Sequence, residues 1–335
     1  MRAWQLHDTT GPESYRLDEV DEPIPGPGEV RVDLRVSALN HLDLWVSRGM
    51  PAPRHLPHIA GADGAGVVDA VGAGVANVAE GDEVVVNPSV SCGTCPQCLA
   101  GDIVYCRSFE ILGEHTTGTL ADKVVVAARN VSPRPATLSW EQAGSYGLAY
   151  GTAYRMLRRA RVRAGEHVLV VGIGGGVAAA SMAIAQAMGA RVSVTSRTDD
   201  KRAWALEHGA VAAVASDGAF SKELPARMDV VVDSVGPATF DQSIRSLRPG
   251  GRLVVCGATS GTKVEITAPV LFFKQLEILG STMFTHAEFA EVTALIAAGS
   301  VTPKVSTVFD FADLPAAIHH LDAGKQLGKV ALTHA

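Results

Sequence analysis

The chain has 335 residues, a hydrophobic fraction of 47% and 34 glycines, values typical of a globular protein with two domains of ordinary size. Its formal net charge of -6 provides no basic face, so we expect no nucleic-acid partner. No run approaches the ~18 consecutive apolar residues of a membrane span, and the first residues lack a secretory signal pattern. We therefore expect a cytoplasmic protein that has no membrane contact and acts on a small molecule.

The first part of the chain is dominated by strands and turns. Residues 30–39 alternate apolar and polar side chains, as a half-buried strand does. Residues 64–75 and 83–87 are valine-rich, and residues 121–127 end this region. The pattern predicts an all-β portion, interrupted by glycine- and proline-rich turns.

The second part changes to alternating helices and strands, after a helix predicted over residues 139–159. We predict strands at 167–171, 191–195, 211–214, 229–233, 253–256 and 276–279, and helices at 177–188 and 201–208. Apolar strands that alternate with helices indicate a doubly wound parallel sheet. A tail with helices at 288–298 and 314–321 and strands at 304–309 and 329–332 is predicted to pack back on the first domain.

A glycine-rich turn lies between the first strand and the first helix of this second part. Glycine occupies positions 172, 174, 175 and 176, just before Val177. Glycine lets the backbone turn sharply and approach a pyrophosphate, and the helix N-terminus that follows favours the phosphate charge. Because a strand precedes the turn and a helix follows it, the segment predicts a dinucleotide-binding site.

The end of the next strand indicates which nucleotide is preferred. An NAD site usually carries Asp or Glu there, but this sequence has Ser196 followed by Arg197, with Lys201 close behind. A hydroxyl and two cations suit a 2′-phosphate, so we predict NADP(H). The alternative is that both cations are simply exposed residues at the start of a helix.

Four of the five cysteines are clustered. Cys92, Cys95, Cys98 and Cys106 form the pattern C-x2-C-x2-C-x7-C, and four thiolates at such spacing can enclose a zinc ion. The shell has no open position, so the spacing predicts one structural Zn²⁺; an iron–sulfur cluster is the alternative. Cys256 stands alone in an apolar strand and is interpreted as a core residue.

These features together resemble the medium-chain dehydrogenase/reductase superfamily over nearly the whole chain. The matching stretches, in order, are residues 25–30 and 61–68, the four-cysteine segment, and residues 172–177, 233–236, 249–254, 280–283 and 328–330. The resemblance implies an α/β fold with a chaperonin-10-like β domain, here residues 1–147 and 285–335. A doubly wound Rossmann domain with a parallel sheet would then span residues 148–284.

The resemblance also implies further contacts and an assembly. Additional cofactor-binding positions are expected at Thr152, Ser234, Gly257, Met283 and Lys329. Family members commonly dimerise through an edge strand of the Rossmann sheet, here residues 276–283, so we expect a homodimer or homotetramer.

The departures from the family pattern concern the catalytic metal. Zinc alcohol dehydrogenases have Cys-His-Thr-Asp where this sequence has Asn40, His41, Leu42 and Asp43. The family's Gly-His-Glu is Gly-Ala-Asp at 61–63, and the third ligand position holds leucine, at 148. A site that lacks all three of these ligands cannot hold an ordinary catalytic zinc. Asn40 resembles the zinc-free quinone oxidoreductase branch, whose members pass hydride from NADPH to a quinone or an activated double bond.

We therefore expect an NADPH-dependent oxidoreductase that reduces a quinone, enone or related carbonyl acceptor without catalytic zinc. Asn40 is the candidate donor to the acceptor oxygen, His41 faces the cofactor phosphates in relatives or supplies a proton, and Asp43 orients its neighbours. Two alternatives stay open. One is a zinc-dependent alcohol dehydrogenase with substitute ligands such as His41, His58 and Asp63; the other is a non-enzymatic NADPH-binding protein.

Overall fold

In the computed structural model, which describes residues 1–334, the chain leaves one folding unit at Gly151 and returns to it at Phe284. The first unit therefore combines residues 1–151 with the C-terminal segment, and the second unit is Thr152–Met283. The boundaries expected from the sequence were 147/148 and 284/285. The chain passes from the first unit to the second within a single helix, α4 below.

The secondary structure is mixed. The strands are β1 (Arg2–Leu6), β2 (Tyr15–Glu19), β3 (Glu29–Leu39), β4 (His58–Ile59), β5 (Asp63–Val71), β6 (Glu83–Val86), β7 (Ser89–Val90), β8 (Glu110–Ile111), β9 (Lys123–Ala127), β10 (Val131–Pro133), β11 (His167–Val170), β12 (Arg191–Ser196), β13 (Ala212–Ala215), β14 (Met228–Asp233), β15 (Leu247–Val255), β16 (Glu277–Gly280), β17 (Val305–Asp310) and β18 (Lys329–Thr333). The helices are α1 (His41–Ser47), α2 (Pro96–Leu99), α3 (Trp140–Ala143), α4 (Gly147–Arg159), α5 (Gly176–Ala187), α6 (Asp199–Glu207), α7 (Pro237–Ser246), α8 (Ala268–Phe273), α9 (His286–Ala297) and α10 (Leu314–Asp322). Within residues 1–334, none of the helices combines the length and apolar character needed to cross a bilayer.

The main sheet of the first unit is built around β3. Its strand order is β10-β6-β5-β3-β18-β17, and β9 also pairs with β3. Both β5 and β18 run antiparallel to β3, with Ala38 opposite Asp63 and Leu39 opposite Val330. The end of β3 therefore lies beside the starts of β5 and β18, although the last of these comes from the far end of the sequence. This arrangement places Asn40, Asp63 and Lys329 at one edge of the sheet.

The helix predicted over residues 139–159 is two helices, α3 and α4, so that prediction was wrong in the middle. The chain between them passes against β3 and β5. A Cβ on Gly144 would lie 2.2 Å from Val36 Cγ1 and 3.2 Å from the backbone nitrogen of Ala65, so a side chain does not fit there. The break redirects the chain and starts α4 next to Asp63.

The second unit is a six-stranded parallel sheet with the order β13-β12-β11-β14-β15-β16. The order reverses between β11 and β14, and in open α/β sheets ligands bind at the carboxyl ends of the strands at such a point. The sequence prediction missed α7, whose start is marked by Pro237, and α8. The predicted fold class, a GroES-like β domain with a Rossmann domain, is confirmed.

A buried arginine links β15 to the end of α4 within the second unit. Arg252 is 7% exposed and donates to the carbonyl oxygens of Ala160 (2.7 Å) and Arg161 (3.1 Å). Its guanidinium also forms an ion pair with Glu166. Three acceptors therefore depend on one side chain.

We expect Arg252→Met to lower the stability of the protein by about 3 kcal/mol, because it leaves the Glu166 carboxylate without its cation and two carbonyl groups without their donor. In a thermal melt this corresponds to a midpoint lower by roughly 6–12 °C. The matched control is Arg245→Met, whose ion pair with Asp241 is largely exposed (63% and 66%), so this variant should leave the melting midpoint nearly unchanged. Equal shifts for the two variants would contradict the structural role of Arg252.

Candidate functional site

The glycine-rich turn joins β11 to α5 in the second unit. Gly172 and Gly174 have φ angles of 77° and 141°, which L side chains rarely adopt. The turn is fixed on β12, since the N–H of Gly172 donates to Thr195 Oγ1 (3.0 Å) and that of Ile173 to the Thr195 carbonyl (2.7 Å). Gly175 is the N-cap residue of α5, so the predicted residues Gly176 and Val177 form its first turn. The N-terminus of a twelve-residue helix thus follows a close-approach turn, as a pyrophosphate site requires.

Cations surround the end of β12 beside this turn. A Cβ on Gly174 would lie 2.9 Å from Lys201 Cδ, so the Lys201 side chain lies over the turn. Burial lowers the pKa of Lys201, and the charge of Arg197 lowers it further. Arg202, which the sequence reasoning did not select, donates to the Ser196 carbonyl (2.7 Å) and forms an ion pair with Asp199. Its position directly after Lys201 was the signal that could have drawn attention to it.

The other expected cofactor positions divide between the two units. Ser234 follows β14, and a Cβ on Gly257 would lie 3.1 Å from its carbonyl oxygen, so these two segments are adjacent. Thr152 and Met283 are the first and last residues of the second unit. Lys329 belongs to the first unit, where its ammonium is engaged by Asn40 and Asp63.

The four clustered cysteines come together in the first unit. Cys92, Cys95, Cys98 and Cys106 have sulfur atoms that all lie within 4.8 Å of one another. Cys92 Sγ is 3.8 Å from Cys98 Sγ and 3.5 Å from Cys106 Sγ. Four sulfurs about 2.3 Å from a tetrahedral zinc would be about 3.8 Å apart, so the group fits that ion. Backbone N–H groups of Thr94 and Cys95 lower the pKa of Cys92 to about 6, whereas burial and contacts with the other three thiols raise the pKa of Cys95.

A second polar cluster consists of Asn40, Asp63 and Lys329, with exposures of 8%, 0% and 2%. The Lys329 ammonium donates to Asn40 Oδ1 and to Asp63 Oδ2 (2.7 Å). Asn40 Nδ2 donates to Asp63 Oδ2 (2.9 Å), and the backbone N–H of Leu148 donates to Asp63 Oδ1 (2.6 Å). The orientation of the Asn40 amide is fixed, because the reverse would set its N–H groups against an ammonium and its oxygen against a carboxylate.

Asp43 acts on this cluster through the backbone. Its carboxylate accepts the N–H of Asn40 (2.7 Å) and that of Gly61 (3.1 Å), so it ties the start of α1 to the segment that leads to Asp63. Burial raises its pKa to about 6. Both of its oxygens are thus engaged by backbone groups.

His41 is half-buried at the first position of α1. Burial lowers its pKa, and the positive charge of Lys329 lowers it further. The ordinary value is about 6.5, so the ring is mainly neutral at pH 7 and acts as a hydrogen-bond donor or acceptor.

The substitute zinc ligands considered from the sequence do not form a metal site. His58 Nε2 donates to the Gly113 carbonyl (2.9 Å), and both oxygens of Asp63 are already engaged. Within residues 1–334, the four cysteines are the only group of three or more His, Cys, Asp or Glu residues placed to hold a metal ion.

A GroES-like β unit with a cysteine lobe, combined with a Rossmann unit, defines a two-domain dehydrogenase. Residues 26–136 match the family model described as an alcohol dehydrogenase GroES-like domain, and residues 176–298 match that of a zinc-binding dehydrogenase. The chain belongs to the medium-chain dehydrogenase/reductase superfamily of oxidoreductases.

Its relatives include reductases and alcohol dehydrogenases. An acryloyl-coenzyme A reductase of Metallosphaera sedula is 31% identical over 323 residues, which cover 96% of this chain and 97% of that protein. The crystal structure of an NAD-dependent alcohol dehydrogenase superposes with a TM-score of 0.96 at 40% identity, covering 99% of both chains. A crotonyl-CoA carboxylase/reductase in complex with NADP superposes with a TM-score of 0.92 at 25% identity, covering 99% of this chain and 94% of that one.

We expect Lys329→Met to destabilise the protein by about 3–5 kcal/mol, because it leaves a fully buried carboxylate without its cation. Asp63→Asn should also destabilise the protein, because it leaves the buried ammonium of Lys329 without a carboxylate partner. The double variant should lose clearly less than the sum of the two single losses, as thermal unfolding of all four proteins would show. Additive losses would mean that the two charges do not stabilise each other.

Proposed function

We propose that the protein is an NADPH-dependent reductase that transfers hydride to a conjugated carbonyl acceptor, a quinone or an α,β-unsaturated carbonyl compound, without catalytic zinc. The buried cluster of Asn40, Asp63 and Lys329 carries this proposal. The similarity to acryloyl-CoA and crotonyl-CoA reductases, whose names specify a conjugated thioester, supports the enone type of acceptor.

By resemblance to the zinc alcohol dehydrogenases, Asn40 of this cluster occupies a position at which those enzymes hold their catalytic metal. Asn40, Ala62 and Leu148 stand at the three ligand positions and supply neither thiolate nor imidazole. In the same region, the ammonium of Lys329 is paired with the Asp63 carboxylate and also donates to the Asn40 amide oxygen. An amide donor that is fixed and shielded from water can stabilise negative charge that develops on a nearby acceptor oxygen.

When bound, NADPH supplies the hydride, and with one proton from solvent the enone becomes the saturated carbonyl compound and NADP⁺ is formed. The chain's part is to stabilise the enolate oxygen. Lys329 donates to the oxygen of the Asn40 amide, which makes the amide N–H groups stronger donors. One of these N–H groups is held by Asp63, and the other is the proposed donor to the acceptor oxygen. His41, largely neutral, is proposed to orient the cofactor phosphates or to relay the proton.

The proposed cofactor preference rests on the end of β12. Ser196 stands where NAD enzymes carry a carboxylate, and Arg197 and Lys201 provide two cations beside the glycine-rich turn. Burial is the main cause of the lowered pKa of Lys201, and the negative charge of a bound phosphate would favour its protonated form. The complex of a related reductase with NADP agrees with this choice, whereas the name of the related NAD-dependent alcohol dehydrogenase does not.

We expect Arg197→Ala and Lys201→Ala each to raise the KM for NADPH by about tenfold or more, because each removes a charge-assisted contact to the 2′-phosphate. The KM for NADH should change by less than twofold. Lys222→Ala, an exposed lysine of the same unit, serves as the control. If the wild-type protein uses NADH as well as NADPH and the variants affect both equally, the NADP assignment is wrong.

The reaction is tested by following NADPH oxidation with quinones, an α,β-unsaturated ketone and an enoyl thioester, and NADP⁺ reduction with primary and secondary alcohols. We expect turnover with conjugated acceptors, and a fall of about 10²-fold in kcat for Asn40→Ala, the magnitude typical of losing one donor to a developing oxyanion. If the protein oxidises alcohols at a rate that rises and falls with its metal content, the zinc alcohol dehydrogenase alternative is favoured instead. The similarity to the 40% identical alcohol dehydrogenase structure is the reason to test it. Tight NADPH binding without any turnover would favour a non-enzymatic protein.

We also propose that the four-cysteine group holds one structural zinc ion. We expect elemental mass spectrometry to find about one zinc per chain. Cys106→Ser should lose this zinc and melt at a lower temperature, because the ion holds together the loop that supplies its four ligands. Cys256→Ser, outside the group, should keep the zinc. Two zinc ions per chain would contradict the metal-free catalytic site.

A further inference from the structure

A cavity of about 360 Å³ lies in the first unit, outside the polar cluster already described. Its wall combines a polar end of β1 with the segment before β5 and the loop after β8. The side chains that matter for its chemistry are Gln5, Arg54, His55, His115, Thr116 and Thr117. Each of them carries a hydrogen-bond donor, and none of the nine lining residues carries a carboxylate. Such a lining selects for an anion that is rich in acceptor oxygens.

The donors are available to a ligand. Arg54 forms an ion pair with Glu110, but its side chain is 60% exposed and a guanidinium has five N–H groups, so one carboxylate does not occupy it. His115 Nδ1 accepts the backbone N–H of Ile111 (3.1 Å), which leaves the proton of the neutral ring on Nε2. The nearest charged oxygen to that nitrogen belongs to Glu114, at 3.6 Å. This is longer than a hydrogen bond.

The cavity is close to the polar cluster along the chain. Thr119 Oγ1 donates to the carbonyl oxygen of Asp63 (2.7 Å), and Thr117 of the cavity wall precedes Thr119 by two residues, at most about 7 Å. On the other wall, Ile59 ends β4, four residues before Asp63, and its carbonyl accepts the N–H of Gly118 (2.8 Å). Both walls of the cavity are therefore joined by short stretches of backbone to the segment that carries Asp63.

We propose that this cavity binds the phosphate-bearing end of the substrate, and that the substrate is an α,β-unsaturated acyl thioester of coenzyme A. This inference rests on the proposed function, which supplies the reducible double bond. The cavity adds the donors for phosphate oxygens that quinones and simple enones do not have. Arg54 is the main determinant, because a guanidinium can bind phosphate through two parallel hydrogen bonds.

The test compares two thioesters that carry the same reactive group. Acryloyl-CoA has the phosphates, and the acryloyl thioester of N-acetylcysteamine lacks them. For the wild-type protein we expect a KM at least tenfold lower for acryloyl-CoA. Arg54→Gln should raise that KM by about tenfold, the factor for one charge-assisted hydrogen bond, with kcat within twofold and no change for the truncated thioester. Arg245→Gln, an arginine of similar exposure (63%) in the second unit, should change neither.

Three kinetic outcomes overturn the inference while leaving the proposed function in place. The wild-type protein could reduce both thioesters with the same KM, Arg54→Gln could raise both KM values equally, or it could raise neither. Because fold loss would affect both substrates, the difference between the thioesters also separates a local effect from misfolding.

A binding measurement decides the matter even if no acceptor is reduced. Free coenzyme A is titrated by calorimetry into wild-type protein and Arg54→Gln, with NADP⁺ saturating so that the nucleotide turn is filled. Binding that weakens about tenfold in the variant supports the cavity as the phosphate site. No binding, or displacement of coenzyme A by inorganic phosphate at similar concentrations, would show that the cavity does not recognise the phosphate end of a thioester.

Discussion

The ion pair between Lys329 and Asp63 is the interaction on which the first unit depends. It joins the first residue of the last strand to the first residue of β5, and both are bonded to Asn40 at the end of β3. Asp63 also receives the backbone N–H of Leu148, so the same carboxylate fixes the start of α4. Because neither charge is exposed, each side chain requires the other, and this mutual requirement holds four chain segments in one arrangement. The same arrangement aims the Asn40 amide.

Local patterns were sufficient to predict the parts of the protein whose signals lie within a short stretch. The glycine turn, with a strand before it and a helix after it, predicted the Rossmann unit, and the family and fold class were confirmed. The spacing of four cysteines anticipated a group that the structure brings together. In both cases the residues that form the site are close together in the sequence, so their spacing alone was enough to predict the site.

What could not be predicted depends on contacts between distant segments. Lys329 was expected to bind cofactor, and Asp63 was considered only as a metal ligand, because nothing in sequence indicates a pairing across 266 residues. That pairing follows from the insertion of β18 beside β3, which is a property of the whole sheet. The break between α3 and α4 has the same origin, since Gly144 is required by its approach to Val36 rather than by the helical pattern around it.

The place of β18 in the sheet also determines the order in which the polypeptide can acquire its structure. The second unit is continuous in sequence and is complete once Met283 has been synthesised, whereas the sheet of the first unit still lacks β17 and β18. On the ribosome, where domains fold as units as they emerge, the Rossmann unit can form while residues 36–39 of β3 still lack their partner strand β18 and Asp63 has no cation. The first unit therefore cannot complete its fold until the C-terminal strands have been synthesised. A nascent chain that stops before residue 329 would leave the end of β3 unpaired and Asp63 without its cation, and both features would be exposed to the quality-control machinery of the cell.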